Sequence, residues 1–294
     1  MRAFHYARGL YLFVSAERGL MVFMIAMGAS LLIGGSLQLS DAVYIGLIGF
    51  IGWSCTDAVN NICDVEIDRE SDALRSEFTA GLGIAGPVLA VLLGSVAVGM
   101  GLLSGRLSVA ALVVLGLGFG VAYSVPPVRL RQTISKPLVN SAVGVVPVLM
   151  AAAFHGSFKV EAFTLAVFMG VATAVNSLWE DLADYSSDLM GRAETFLVVL
   201  GFRRGLHATI VLGYSLVPLM VLIGLMFRLG VMYYCVFSVL VAFMSLHIIQ
   251  ERRIILGRDT EAMRRMSPRL ARDFAIIAVA QTTNFMLAGF LKGL

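Results

Sequence analysis

The chain has 294 residues, of which 59% are hydrophobic and 14% are charged, and its mean hydropathy is +0.88. Soluble domains carry about 25% charged residues, so this composition excludes an ordinary soluble protein and indicates an integral membrane protein. The formal net charge is only +3. Membrane topology and anionic lipid headgroups explain the basic residues without a nucleic-acid partner.

Nine apolar runs are close to the roughly 20 residues that a helix needs to cross a bilayer. Their residues do not alternate as those of barrel strands do, and lipid does not tolerate unpaired backbone polar groups, so each run is predicted to be a helix. The expected fold is an all-α integral membrane protein with nine transmembrane helices in a single domain, 1–294. The predicted spans are 19–35, 42–62, 84–103, 107–124, 137–154, 160–181, 205–227, 230–249 and 273–291.

The N-terminal segment, residues 1–18, has basic residues and a short apolar patch but no small-residue cleavage site. It is therefore predicted to lie in the membrane interface and not to be a cleaved signal peptide. Together with the connections after the second, fourth, sixth and eighth spans, it carries 18 of the 22 Lys and Arg residues. The positive-inside rule then predicts a cytoplasmic N-terminus in the cell membrane. The predicted cytoplasmic loops are about 63–83, 125–136, 184–204 and 250–272.

The second span ends in an acidic stretch, TDAVNNICDVEIDR (56–69). Seven of the 19 acidic residues lie in this stretch and the loop after it, up to Glu77. Asn60, Asp64 and Asp68 are four residues apart, and residues with this spacing share one helix face, with Cβ atoms about 6 Å apart. The stretch therefore predicts a column of oxygen ligands.

The connection after the fourth span is basic and reads YSVPPVRLRQTISKPLVNS (123–141). Its two adjacent prolines end the helix, and Arg129, Arg131 and Lys136 follow them. The planar fork of arginine binds phosphate oxygens bidentately, and lysine adds a point charge. This connection is therefore a candidate anion-binding segment.

The sixth span ends in a second acidic stretch. Asn176, Glu180, Asp184 and Asp188 repeat the four-residue spacing, and Asp181 lies beside them. Twelve of the 19 acidic residues thus occupy two short segments. Solvated helix ends are the alternative interpretation, as for many acidic runs, but it does not explain two columns with the same spacing.

Two columns of carboxylates need cations, because like charges repel and one carboxylate near the bilayer centre costs on the order of 3 kcal/mol. Mg²⁺ prefers oxygen ligands and is often completed by substrate phosphates, so Mg²⁺ is the predicted cofactor. AVN recurs at 58–60 and 174–176, which predicts two diverged repeats around one central cavity open to the cytoplasm. With Arg75 and Arg192 in the loops after the two columns, the pattern predicts a site for Mg²⁺ and a diphosphate.

These motifs resemble those of the UbiA superfamily of intramembrane prenyltransferases. The family motif N-D-x-x-D-x-x-x-D is matched by NNICDVEID (60–68), with Asn61 in place of the first aspartate. The second motif, D-x-x-D-x-x-x-D, is matched by DLADYSSD (181–188), which Gly191 and Thr195 follow. The resemblance therefore includes both acidic segments.

Other parts of the chain extend the resemblance. YSVPPVRLR (123–131) is similar to the family's tyrosine and basic motif after the fourth helix, and Arg18 lies where an arginine commonly opens the first helix. The loop RESDALRSEF (69–78) keeps Arg75 but lacks the prolines of the family's N-x-P-x-R-P pattern. With nine predicted helices, the resemblance covers nearly the whole chain.

The resemblance implies transfer of a polyprenyl group from an isoprenyl diphosphate, such as geranylgeranyl diphosphate, through an allylic carbocation and release of diphosphate. Tyr123 would orient the diphosphate or shield the cation, and Arg18 would contact the acceptor. The implied Mg²⁺ ligands are Asn60, Asp64, Asp68, Asp181, Asp184 and Asp188. The implied diphosphate contacts are Arg75, Arg129, Arg131, Lys136 and Arg192.

The sequence leaves the acceptor open. An aromatic quinone precursor of the 4-hydroxybenzoate type is the first candidate, and a glycerol-phosphate lipid, as used by a digeranylgeranylglyceryl phosphate synthase, is the second. A cation-coupled transporter is the alternative from another class, since intramembrane acids often mark ion paths and internal repeats are common in transporters. It would leave the basic connection unexplained. A CDP-alcohol phosphatidyltransferase is disfavoured because its D-G-x-x-A-R cluster is absent.

Overall fold

A computed structural model describes residues 2–34, 39–66, 69, 72–257 and 259–292. Within these ranges the regular structure is helical, and nine helices are long and apolar enough to cross a membrane. The helices are α1 (Arg2–Phe13), α2 (Ala16–Gly34), α3 (Leu39–Cys63), α4 (Ala73–Leu82), α5 (Ala85–Leu103), α6 (Leu107–Ser124), α7 (Lys136–His155), α8 (Val160–Met190), α9 (Phe196–Leu200), α10 (Phe202–Met226), α11 (Val231–Gln250), α12 (Arg252–Leu256) and α13 (Thr260–Lys292).

The predicted all-α membrane fold is confirmed, because every predicted span overlaps one of the nine long helices. The largest differences in bounds are at the sixth and ninth spans, where α8 continues to Met190 and α13 already begins at Thr260. Hydropathy does not detect these extensions because their side chains are polar. An ion pair between Glu261 and Arg265, four residues apart at 3.2 Å, supports the polar first turns of α13.

Three connections that were predicted as loops contain short helices. In the first, α4 begins after Asp72, whose side chain accepts a hydrogen bond from the backbone N–H of Arg75 and so caps the helix. The others contain α9 and α12, each of five residues. The interfacial placement of residues 1–18, the internal repeat and the cytoplasmic orientation stay predictions.

Six helices form a ring, with contacts in the order α2, α3, α6, α7, α8, α13 and back to α2. Outside the ring, α5 packs on α3 and α6, α10 packs on α8, and α11 packs on α13. At one end the ring is closed where α2 meets α7, and there Ser30 Oγ and His155 Nε2 are hydrogen-bonded at 2.8 Å. The interior of the ring therefore opens towards the opposite end, where α3, α6 and α8 terminate.

The contact between α7 and α8 brings two backbones together. A Cβ atom built at Gly144 on α7 would collide with the carbonyl of Met169 on α8 and would lie 2.9 Å from the amide nitrogen of Gly170. Small residues are the usual means by which membrane helices approach this closely. Gly144 therefore fixes one wall of the ring.

We expect Gly144→Ala to destabilise the fold by about 1–3 kcal/mol, the usual effect of overpacking a well-packed contact. Thermal unfolding of the purified protein in detergent measures the change. Gly118→Ala on α6 is the matched control, because a Cβ there meets nothing within 4 Å. Equal melting temperatures for the two variants would contradict the close contact of α7 and α8.

Candidate active site

A main cavity of about 790 Å³ lies inside the ring. Its polar end is lined by Arg18, Asp57, Asn60, Arg75, Tyr123, Arg131, Lys136, Glu180 and Asp184. Its apolar end is lined by Val113, Leu117, Val146 and Met150. Met150 lies 14 residues after Lys136 on α7, so the two ends are about 20 Å apart at 1.5 Å per residue. The cavity can hold a charged head and a long apolar chain.

Asp64 is the centre of the first polar cluster. Its side chain is 0% exposed, and its Oδ1 is 2.5 Å from Nη2 of Arg129. Arg131 forms an ion pair with the other carboxylate oxygen. Asn60 Oδ1 accepts hydrogen bonds from Arg131 Nη1 (3.4 Å) and from Ser124 Oγ (3.1 Å). The end of the first acidic segment is thus tied to the basic connection after α6.

Asp181 is the centre of the second cluster and is also 0% exposed. Lys136, the first residue of α7, forms an ion pair with it. One turn further along α7, Asn140 donates a hydrogen bond to Ser177 Oγ at 2.7 Å, and the Tyr123 side chain interacts with both Lys136 and Asn140. Tyr123 therefore lies beside the cation that neutralises the second acidic segment.

The remaining carboxylates of α8 lie near the same basic residues. Thr195 Oγ1 donates a hydrogen bond to Asp188 Oδ2 at 3.3 Å. Burial raises the pKa of Asp188 above its ordinary value, Lys136 lowers it, and the neighbouring charge of Asp184 raises it. Burial lowers the pKa of Arg131, while Asp188 and Asp184 act in the opposite direction. These two carboxylates are therefore close enough to each other and to Arg131 to interact.

A backbone hydrogen bond joins the two loops that carry these groups. The N–H of Glu194, in the loop after α8, donates to the carbonyl of Gln132 at 2.9 Å. Gln132 ends the single 3₁₀ turn Leu130–Gln132, which lies between Arg129 and α7. The bond helps to hold the basic connection against the second acidic segment.

Arg18 is the centre of a third polar cluster. This cluster lies on the side of the main cavity that α2 and α8 form. The charge of Arg18 interacts with the carboxylates of Glu180 and Asp57. Asn176 Nδ2 donates a hydrogen bond to Glu180 Oε1 at 3.0 Å. Asp57 and Glu180 were not among the predicted site residues, although Glu180 belongs to the four-residue column on α8 and that spacing could have identified it.

The structure describes only the first part of the first acidic column. Helix α3 ends at Cys63, and the N–H of Asp64 still donates to the carbonyl of Asn60 at 3.0 Å, so Asn60 and Asp64 keep the one-turn spacing at the helix end. Asp68 lies outside the described residues. The second column is confirmed as helical, since Asn176, Glu180, Asp184 and Asp188 all lie on α8.

Asn61 occupies the position where the family usually has an aspartate, and its contacts explain the asparagine. Its side chain is buried, and Nδ2 donates to the backbone carbonyl of Phe13 at 2.8 Å and to Asp57 Oδ2 at 3.4 Å. A carboxylate at this position could not donate to the carbonyl. Asn61 therefore attaches α1 to α3.

Among the basic residues, Arg75 lines the main cavity and pairs with Asp72 at 3.5 Å. Arg129, Arg131 and Lys136 contact the buried carboxylates directly. Arg192 is exposed and is not among the residues that line the cavity, so its contact with a diphosphate stays a prediction.

The donor set fits Mg²⁺ in chemistry, since it consists of carboxylate and amide oxygens. Apart from the ion pair with Lys136, neither oxygen of Asp181 accepts a hydrogen bond from the described part of the chain. Within that part, no three His, Cys, Asp or Glu side chains are arranged to hold a metal ion. The carboxylates are instead neutralised by arginine and lysine.

We expect Lys136→Met to destabilise the protein by about 3–5 kcal/mol, because it leaves the buried Asp181 charge unpaired. Adding Asp181→Leu should restore most of the loss, since the pair is then replaced by apolar groups. Thermal unfolding of both single variants and the double variant measures the coupling. Additive effects of the two substitutions would contradict the ion pair.

A family model described as the UbiA prenyltransferase family matches residues 21–271. No curated protein sequence matches the chain. The chain is similar in structure to a UbiA homolog from Archaeoglobus fulgidus bound to GPP and Mg²⁺, with 17% identity and a TM-score of 0.71 over 97% of this chain and 99% of that chain.

Two further solved structures are similar. For a digeranylgeranylglyceryl phosphate synthase, the identity is 14% and the TM-score is 0.69, over 97% of this chain and 99% of that chain. For the apo UbiA homolog from Aeropyrum pernix K1, the identity is 18% and the TM-score is 0.67, over 94% of this chain and 98% of that chain. At these identities the similarity shows a shared fold.

Proposed function

The protein belongs to the UbiA prenyltransferase family, whose model covers most of the chain, and we propose that it transfers a polyprenyl group from an isoprenyl diphosphate to an acceptor with the aid of Mg²⁺. One observation carries the proposal. The basic connection after α6 pairs with the buried acids of both motifs, at the polar end of a cavity whose other end is apolar. A prenyl diphosphate matches these two ends, because its diphosphate is charged and its hydrocarbon chain is apolar.

Arg75, Arg131 and Lys136 line the polar end and would bind the diphosphate oxygens, while Arg129 pairs with the buried Asp64. The same cations now neutralise Asp64 and Asp181. If these cations turned to a bound diphosphate, the carboxylates of the two motifs would be free to hold Mg²⁺. When bound, Mg²⁺ supplies Lewis-acid stabilisation of the departing diphosphate.

The reaction breaks the C–O bond between the prenyl chain and the diphosphate, and the electron pair leaves with the diphosphate. The allylic carbocation then forms a bond with a nucleophilic carbon or oxygen of the acceptor, which loses a proton. Tyr123, which lies beside Lys136 at the polar end, would orient the diphosphate or shield the cation. The apolar walls exclude water that would otherwise capture it.

The acceptor would bind at the side of the cavity where Arg18 lies. A quinone precursor of the 4-hydroxybenzoate type remains the first candidate from the sequence, with its carboxylate at Arg18. A glycerol-phosphate lipid is the second candidate, and the similarity of fold to a digeranylgeranylglyceryl phosphate synthase favours it. The distribution of basic residues further supports a cell-membrane protein whose polar cavity end faces the cytoplasm.

Asp184→Ala and Asp64→Ala should each lower prenyl transfer from geranylgeranyl diphosphate by at least about a thousandfold, since a catalytic metal supplies several kcal/mol. Chelation of divalent metal by EDTA should abolish the wild-type activity, and Mg²⁺ should restore it. Product formation and diphosphate release with purified protein measure both effects.

The matched control is Glu261→Ala, which removes an exposed acid whose ion pair, within the described ranges, is with the exposed Arg265. It should retain wild-type turnover, and unfolding curves of all variants report folding. Wild-type rates in both aspartate variants would overturn the metal assignment. Metal-dependent ion flux in liposomes without any turnover would instead indicate a transporter.

Arg18→Gln should raise the KM for the acceptor by at least about tenfold and change the KM for the donor by less than about twofold. The substitution removes a contact with the acceptor alone, and that contact is equally strong before and during the reaction. Initial rates with each substrate varied in turn separate the two constants. A rise confined to the donor KM would remove Arg18 from the acceptor site.

A further inference from the structure

A second, smaller chamber lies beside the main cavity, among α2, α8, α10, α11 and α13. Its volume is about 100 Å³, and its walls are almost entirely apolar. Aromatic and aliphatic side chains dominate the lining, among them Phe168, Trp179, Val217, Met220, Phe237 and Phe274. Neither the metal site nor the diphosphate site uses this space.

The chamber adjoins the main cavity near the cluster around Arg18. Met21, Thr173, Asn176 and Ala278 line both spaces. Asn176 is also the residue that donates a hydrogen bond to Glu180 in the cluster around Arg18. The wall that the two spaces share therefore lies beside that cluster, next to the place proposed for the polar group of the acceptor.

The donor has a different route. Tyr123 and Lys136, which flank the predicted diphosphate position, lie at the end of α6 and the start of α7. From these residues towards its apolar end, the main cavity continues between α6 and α7 along Val113, Val146 and Met150. The donor chain has room there, so the chamber is a second apolar branch, separate from the one beneath the diphosphate.

Trp179 places a polar group in the wall of the chamber. Its side chain is 1% exposed and stacks on Phe274, with ring centroids 5.6 Å apart. No described residue accepts a hydrogen bond from its Nε1, and a buried donor without an acceptor costs about 1–3 kcal/mol. A Cβ built at Gly213 would lie 3.9 Å from Nε1, so the glycine leaves space beside the N–H.

The outer edge of the chamber lies between α10 and α11. Tyr214 in its lining is 39% exposed, and its hydroxyl donates to Ser245 Oγ at 2.9 Å. The hydroxyl of Tyr233 on α11 donates to the carbonyl of Met220 on α10 at 2.9 Å. Met220 lies six residues after Tyr214, so the two bonds are about 9 Å apart along α10. Both bonds join α10 to α11 at this edge of the chamber.

We propose that the chamber binds the hydrocarbon chain of a lipid acceptor, with the Trp179 indole N–H donating a hydrogen bond to an ether or ester oxygen near the head of that chain. The inference rests on the prenyl transfer proposed above and selects between its two acceptor classes. A small aromatic acid would fill the space at Arg18 and leave the second branch and the Trp179 donor unused. A glycerol-based lipid has a hydrocarbon chain, and it also has an ether or ester oxygen where that chain joins the glycerol.

The test compares acceptors with and without a chain, with geranylgeranyl diphosphate and Mg²⁺ as the common co-substrates. Wild-type protein should show a KM for geranylgeranylglyceryl phosphate at least about tenfold below that for glycerol 1-phosphate or 4-hydroxybenzoate. Gly213→Leu fills the space beside Trp179 and should raise the KM for the chain-bearing acceptor by at least about tenfold. The matched control Gly118→Leu places the same side chain on the exposed face of α6 and should change neither constant.

The outcomes separate the inference from the proposed function. Equal KM values for acceptors with and without a chain, or a Gly213→Leu variant with an unchanged acceptor KM, would overturn the inference while prenyl transfer stands. A rise only in the donor KM would assign the chamber to the donor chain and also overturn it. Absence of prenyl transfer to every acceptor would overturn the proposed function itself.

A binding measurement covers the case in which Gly213→Leu does not fold. The chain has two tryptophans, Trp53 and Trp179, so a Trp53→Phe variant reports Trp179 alone. An alkylglyceryl phosphate brominated along its chain should quench this fluorescence saturably, and an excess of the unbrominated compound should reverse the quenching. Quenching equal to that from a brominated bulk phospholipid would mean that no specific site exists and would overturn the inference.

Discussion

Two fully buried carboxylates, Asp64 and Asp181, govern the arrangement of this bundle. Charges without partners in such surroundings cost several kcal/mol each, so each must meet a cation within the protein. All three cations come from one short segment, residues 129–136, which contributes two arginines to Asp64 and one lysine to Asp181. The ends of α3, α6 and α8 and the start of α7 are thereby held together at the polar end of the ring.

The same charges link the fold to the chemistry. A site built from balanced ion pairs is stable when empty, yet its cations can turn to an incoming diphosphate if a divalent metal takes their place beside the carboxylates. The binding of donor and metal would then depend on each other. The apolar remainder of the main cavity keeps water from the reactive chain, and the cluster around Arg18 gives the acceptor a separate polar position beside a second apolar space.

Much of the fold follows from the sequence, because long apolar segments in a chain with few charges can only be membrane helices. The paired acidic motifs and the basic connection are also visible in the sequence, since their spacing and residue types are local. The polar extensions of α8 and α13 are not, because hydropathy cannot distinguish a polar helix from a loop. The predicted end of the second span at residue 62 agrees with the end of α3 at Cys63, but the pairing of Asp64 with Arg129 and Arg131 could not be predicted, because these residues are 65 and 67 positions away in the chain. The roles of Asn61 and Trp179 could not be predicted because they depend on Phe13 and Phe274, which lie on other helices.

The central claim is that the polar end of the main cavity binds an isoprenyl diphosphate together with Mg²⁺. Isothermal titration calorimetry of the purified protein with an unreactive thiolodiphosphate analogue of geranylgeranyl diphosphate tests it most directly. We expect saturable binding in the presence of Mg²⁺ and loss of that binding in EDTA. Binding of equal affinity with and without the metal would contradict it, as would the absence of binding under both conditions.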